Sequence, residues 1–211
     1  MNRRLYASLV AAAGAALLVT ACGSPIAHPG GNGGVSFDPP AAPPASGEVL
    51  GTGTVLQQDG GPAMFCLGAV AESYPPQCSG PDITNWTWDD VEGSESANGT
   101  TWGAYALQGE WNGRQFTVTA PPIMLALYDP MVQPDPLDDP TNAGDNDEAA
   151  LVAVQDALAS DTAVPQLSSW TSNGYLFVTV IYDDGSLQDY VDDVHGEGVV
   201  AIRSALRPVG Q

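Results

Sequence analysis

The sequence predicts an α+β chain in two parts. Residues 48–128 read as a small all-β barrel or sandwich, OB-like in outline, and residues 148–211 as an α-β-α-β layer. Three observations predict this. Short β-prone runs broken by Gly and Pro turns fill the first part. The apolar spacing changes to a helical period after residue 147. Between the two lies an acidic, Pro-rich linker, residues 129–147.

The chain begins with a stretch unlike either part. Residues 1–21 have the layout of a secretory signal: Arg3 and Arg4, an apolar run, then small residues. That run is too short and too rich in Ala and Gly for a membrane span, which needs ~20 apolar residues. Val19-Thr20-Ala21-Cys22 resembles the lipobox of bacterial lipoproteins, in which the cysteine becomes the first mature residue and carries thioether-linked lipid. The resemblance implies lipidation at Cys22 and a position on the outer face of the cell membrane. Two or more acyl chains give a stable anchor where one binds marginally. Residues 22–47 then form a Pro/Gly/Ala/Ser tether with little apolar surface to offset ordering entropy. Its extended reach is at most ~85 Å, and its mean reach as a coil is ~28 Å.

In the first folded part, residues 49–58 are β-prone, with Gly51 and Gly53 as bulge or bend points. Asp59-Gly60-Gly61-Pro62 marks a turn. Residues 64–70 are apolar, and Tyr74-Pro75-Pro76-Gln77 cannot be helical. Residues 102–111 and 116–119 read as two strands joined by a two-residue Asn112-Gly113 hairpin turn. In the second part, Leu151, Val154 and Leu158 form one helical stripe, with Asp145 and Glu148 as a capping box. Residues 175–182 are a strand. Leu187, Tyr190, Val191 and Val194 mark a second amphipathic helix, closed by Gly196 at its C′ position. Residues 199–206 are the last strand.

Charge narrows the partners. The chain has 25 acidic residues and a net charge of −20. Loss of Arg3 and Arg4 with the leader would bring it to −22, leaving Arg114, Arg203 and Arg207 as the cations. Nucleic acid is excluded as a partner, because binding it needs a basic face. Electrostatic adhesion to anionic lipid is excluded for the same reason, so membrane contact would fall to the lipid anchor. Outside the cytoplasm, Cys66 and Cys78 read as a disulfide. Closing a ring of roughly 13 residues contributes ~3 kcal/mol in the loop-entropy model. A two-cysteine metal or redox site is the alternative, although the spacing is not C-x-x-C.

A wider pattern runs through residues 53–57, Cys66-Leu67-Gly68, residues 72–78, Trp86-Thr87-Trp88 and residues 97–103. It continues in residues 182–188 and Gly196-Glu197-Gly198. Together these resemble a family of uncharacterised lipoproteins from high-GC Gram-positive bacteria. The resemblance implies an exported, membrane-tethered protein and supplies no catalytic residue.

Candidate chemistry centres on Trp86, Trp88, Asp89, Asp90 and Trp102. Aromatic faces beside carboxylates hold sugars, and Trp86 and Trp88 would share one face of a strand. Asp89, Asp90, Glu92 and Glu95 offer the carboxylate pair that glycoside hydrolysis uses. The competing reading packs these tryptophans into the core or over the disulfide. Residues 135–147 carry oxygen ligands suited to calcium but lack the D-x-D-x-D-G order. His195 sits at a helix end beside Asp192 and Asp193, where a histidinium would complement the helix dipole. No nucleophile elbow, zincin or P-loop motif occurs, and no cofactor is implied. The expectation is a non-enzymatic binding or interaction module for an envelope protein or glycan. The alternative is a carbohydrate-binding module or a glycan-active hydrolase.

Overall fold

The computed structural model describes residues 42–89, 91–130 and 134–210. Cys22, the leader, residues 22–41 of the tether and Asp90 lie outside the described residues. The described chain mixes α and β, is mostly strands, and has two helices.

The first seven strands are β1 (Glu48–Gln58), β2 (Ala63–Cys66), β3 (Asp82–Ile83), β4 (Glu95–Ala97), β5 (Thr100–Trp111), β6 (Phe116–Val118) and β7 (Ile123–Met124). Five of them close a barrel in the order β1-β2-β3-β6-β5, with β5 returning to β1. Only the β3–β6 contact in this ring is parallel. β4 and β7 both pair with β5 outside the ring. Alternation along β5 sends Tyr105, Leu107 and Trp111 inward to meet Phe65 and Phe116, whose rings lie 5.3 Å apart. Fully burying side chains of this size contributes ~2–3 kcal/mol each.

Of the two roles expected for the glycines of β1, bulge or bend, the pairing excludes the bulge. β1 pairs with β5 without a break through Gly51 and Gly53. A Cβ on Gly53 would strike the carbonyl of Cys66, so that position allows a close strand approach where the barrel turns.

The hairpin turns also differ from expectation. Trp111 pairs with Phe116, which makes the connection a four-residue loop, not a two-residue turn. Asn112 does not adopt positive φ. Its side-chain oxygen instead accepts from the backbone N–H of Arg114 and Gln115, at 2.9 and 2.8 Å. True two-residue turns form at Asn98-Gly99 and Asn173-Gly174, where both residues have positive φ.

The second layer comprises α1 (Glu148–Ala159), β8 (Gln166–Ser172), β9 (Tyr175–Val180), α2 (Ser186–His195) and β10 (Val200–Ser204). The expected α-β-α-β order therefore gains a strand, β8, which is hydrogen-bonded to the far side of β9. Its Ser, Thr and Gln residues conceal it from an apolar-period search. β9 and β10 are parallel neighbours. The helices cover one sheet face, where Leu151, Leu158, Val178, Val180, Leu187 and Val191 form a second core. The α1 cap is Asp147, which accepts from Ala150 N–H at 3.0 Å, not the expected Asp145. Gly196 closes α2 with φ +97°.

The acidic segment between the parts is built onto the opposite side of this sheet. Asp135 and Asp139 each cap a 3₁₀ turn (Pro136–Asp138 and Pro140–Asn142) that begins with proline. Asn173 donates to the carbonyls of Leu137 and Asp139, and Tyr175 donates to that of Asn142. Arg203 binds both carboxylate oxygens of Asp135, the one ion pair among the described residues, and lies 5.2 Å over the Phe177 ring.

After β10 the chain returns to the barrel. Leu206 is fully buried in the barrel core, and β11 (Arg207–Pro208) pairs with β1.

Candidate functional site

The five candidate ligand-binding residues do not form one cluster. Trp86, Trp88 and Asp89 lie in the loop after β3, not on a strand. The two indoles meet edge to face at 5.2 Å, and both pack on Tyr105, at 5.6 and 6.4 Å. Trp88 Nε1 donates to the Gln57 side chain at 2.7 Å. Trp86 Nε1 has no partner among the described residues. The Tyr105 hydroxyl donates to the Glu92 carbonyl at 3.0 Å, and burial raises its pKa. The two indoles form a lid on the barrel core at Tyr105. Gly103 makes room for it, since a Cβ there would strike the Tyr105 ring.

Trp102 stands apart, on the outer wall of β5, and its ring meets Tyr74 edge to face at 5.5 Å. Tyr74 is 72 % exposed. It lies in the loop between Cys66 and Cys78, which a backbone bridge between Ala71 and Gln77 narrows. The two cysteines have Cα atoms 6.0 Å apart, consistent with the expected disulfide. The staple therefore carries Tyr74 to Trp102.

Beside this pair runs a groove of about 390 Å³. Thr54 and Ala104 are among its lining residues, together with Val70, Pro76, Met124 and Leu125. Glu95, directly opposite Trp102 in the β4–β5 ladder, is the carboxylate in its lining. Val70, Ile123, Leu125 and Leu127 are exposed nearby in the chain or in the groove wall. Sequence reading missed Tyr74 and the Met124-Leu125 wall. Pro75 and Pro76 exclude a helix there, and only the disulfide shows where that loop lands.

A second, larger cleft of about 490 Å³ separates the barrel from the second layer. It is lined by Pro81, Trp111 and Arg114 on one side and by Pro165, Ile181 and Tyr182 on the other.

Three aspartates of the 135–147 segment have structural occupations. Asp135, Asp139 and Asp147 cap turns or α1, and Asp135 also holds Arg203. No group of three or more metal-ligating side chains is present among the described residues. Hydrogen bonds from Arg203 to Asp135, and from the backbone and hydroxyl of Thr141 to Asp139, hold both carboxyl pKa values below the usual range. His195 ends α2, but burial lowers its pKa, so the expected dipole-stabilising charge is disfavoured at neutral pH. No family model matches the chain, nor does any curated protein or solved structure.

Proposed function

We propose that this protein is an exported, non-enzymatic binding module, lipid-anchored through Cys22, that engages an envelope partner with the outer wall of its barrel. The observation that carries this reading is the exposed Tyr74 ring set edge to face on the half-buried Trp102, beside the groove lined by Leu125, Val70 and Glu95. Exposed aromatic and apolar side chains dominate protein contact surfaces. Tyr74 and Trp102 combine large contact area with little conformational entropy to lose.

The barrel's strand order, with its parallel closing pair β3–β6, supports an OB-type reading. OB barrels bind oligosaccharides and oligonucleotides, chiefly across strands 2 and 3. Here β2 and β3 are only four and two residues long, so fold analogy alone does not locate the ligand. The net charge of −20 disfavours nucleic acid. A glycan ligand is the second reading, favoured by the carboxylate of Glu95 in the lining beside an aromatic ring.

A photocrosslinker placed at Tyr74 in the exported protein, in cells, tests the proposal. The expected result is a discrete adduct that disappears in Trp102→Ala while the protein remains folded. A diffuse adduct pattern unaffected by Trp102→Ala would overturn the assignment of this wall.

A further inference from the structure

We propose that the cleft between the barrel and the second layer is a docking groove for the chain's own residues 37–41, so that the tether is seated on the body it carries. The adjoining segment is already seated there. Trp111 Nε1 donates to the Pro43 carbonyl at 3.0 Å, and Ala45 N–H donates to the Trp111 carbonyl at 2.9 Å. An indole N–H bonded to a carbonyl in a Pro-rich strand is how aromatic grooves hold polyproline segments. At the hairpin tip, a Cβ on Gly113 would come within 2.8 Å of the Ala42 carbonyl, so glycine lets the two backbones approach. Ala42 and Pro43 are themselves part of the cleft lining.

The next residues toward the N-terminus match what the cleft offers. Phe37 is the only aromatic residue in residues 23–47, and Asp38 is the only acidic one. The cleft supplies an apolar wall of Pro165, Ile181 and Tyr182, and one cation, Arg114. Arg203 is engaged by Asp135, and Arg207 is not part of the cleft lining. Arg114 is thus the cation placed for Asp38. Phe37 is five positions from Ala42, a reach of at most ~17 Å. Covalent attachment at Pro43 gives the segment an effective concentration in the millimolar range, so weak contacts suffice. Docking would leave residues 23–36 as the free tether, cutting its mean coil reach to ~20 Å. It would also fix which side of the body faces the membrane.

The test uses the full chain in detergent, with azidophenylalanine, close in size to Phe, at position 37. The expected adducts join position 37 to Trp111, Arg114, Pro165 or Tyr182 of the same molecule, in a yield independent of protein concentration. Arg114→Glu should lower that yield several-fold, and Asp38→Arg in the same chain should restore it. No adduct in the cleft, or adducts that form only between copies, would overturn the proposal. So would a yield that Arg114→Glu leaves unchanged.

Discussion

Trp88 and Trp102 lie fourteen positions apart in the sequence, and both are half-buried, yet their surroundings differ. Trp88 lies against Trp86 and Tyr105, with its indole N–H held by Gln57. Trp102 stands on the outer face of β5 against a tyrosine that is itself mostly in solvent. The first indole closes the barrel core; the second presents a surface. Tryptophan beside acidic residues is therefore not by itself a sugar platform. The packing partner decides whether the ring contributes to stability or to binding.

The largest expected effect lies in the lid. Trp88→Ala should cost about 3 kcal/mol, the lower end for a core tryptophan because the ring is half-buried, and it strips the Gln57 side-chain oxygen of its donor. The urea midpoint measures it. Next comes the staple: reduction of Cys66–Cys78 should cost ~3 kcal/mol or somewhat less. It should also separate Tyr74 from Trp102, so the Tyr74 crosslink should weaken under reduction even where the barrel stays folded. An adduct unchanged by reduction would break the link between staple and surface.

Smaller effects belong to the second layer. Asp135→Asn should cost about 1 kcal/mol, because the Arg203 pair is partly solvent-screened. The folded-state pKa of Asp135 lies below its ordinary value of 3.8. Its stabilisation is thus complete above that value and is lost as pH falls through the folded pKa. The variant should flatten the acid limb of a stability–pH curve below pH 4 while leaving the Tyr74 adduct intact. His195 is also depressed, from 6.5. Its contribution is present above that pH and fades as pH falls below it, a slope that His195→Gln should remove.

Much of the fold was legible because local chemistry and tertiary structure agree. β1 follows its β-prone composition, β5, α1 and α2 follow the apolar periods, and Gly196 ends α2 as expected. Legibility failed where position outweighed composition. β8 is rich in Ser and Thr, because it is an edge strand paired only with β9. Asn112-Gly113 carries the strongest hairpin signal, yet the Asn112 side chain satisfies two backbone donors and supports a longer loop. The Asp-Pro segment that resembled an acidic linker instead uses Asp135, Asp139 and Asp147 as caps. Of the candidate site, Trp102 was readable but its partner Tyr74 was not. Their contact depends on a disulfide-bounded loop folding back on β5, which no periodicity encodes.

The most direct test sets Trp88→Ala beside Trp102→Ala, with urea stability and the Tyr74 crosslink measured for each. Trp88→Ala should show a large loss of stability, with the adduct retained wherever the protein is folded. Trp102→Ala should show a loss of stability under about 1 kcal/mol and no adduct. Equal destabilisation by both variants, or an adduct that survives Trp102→Ala, would contradict the division between lid and surface.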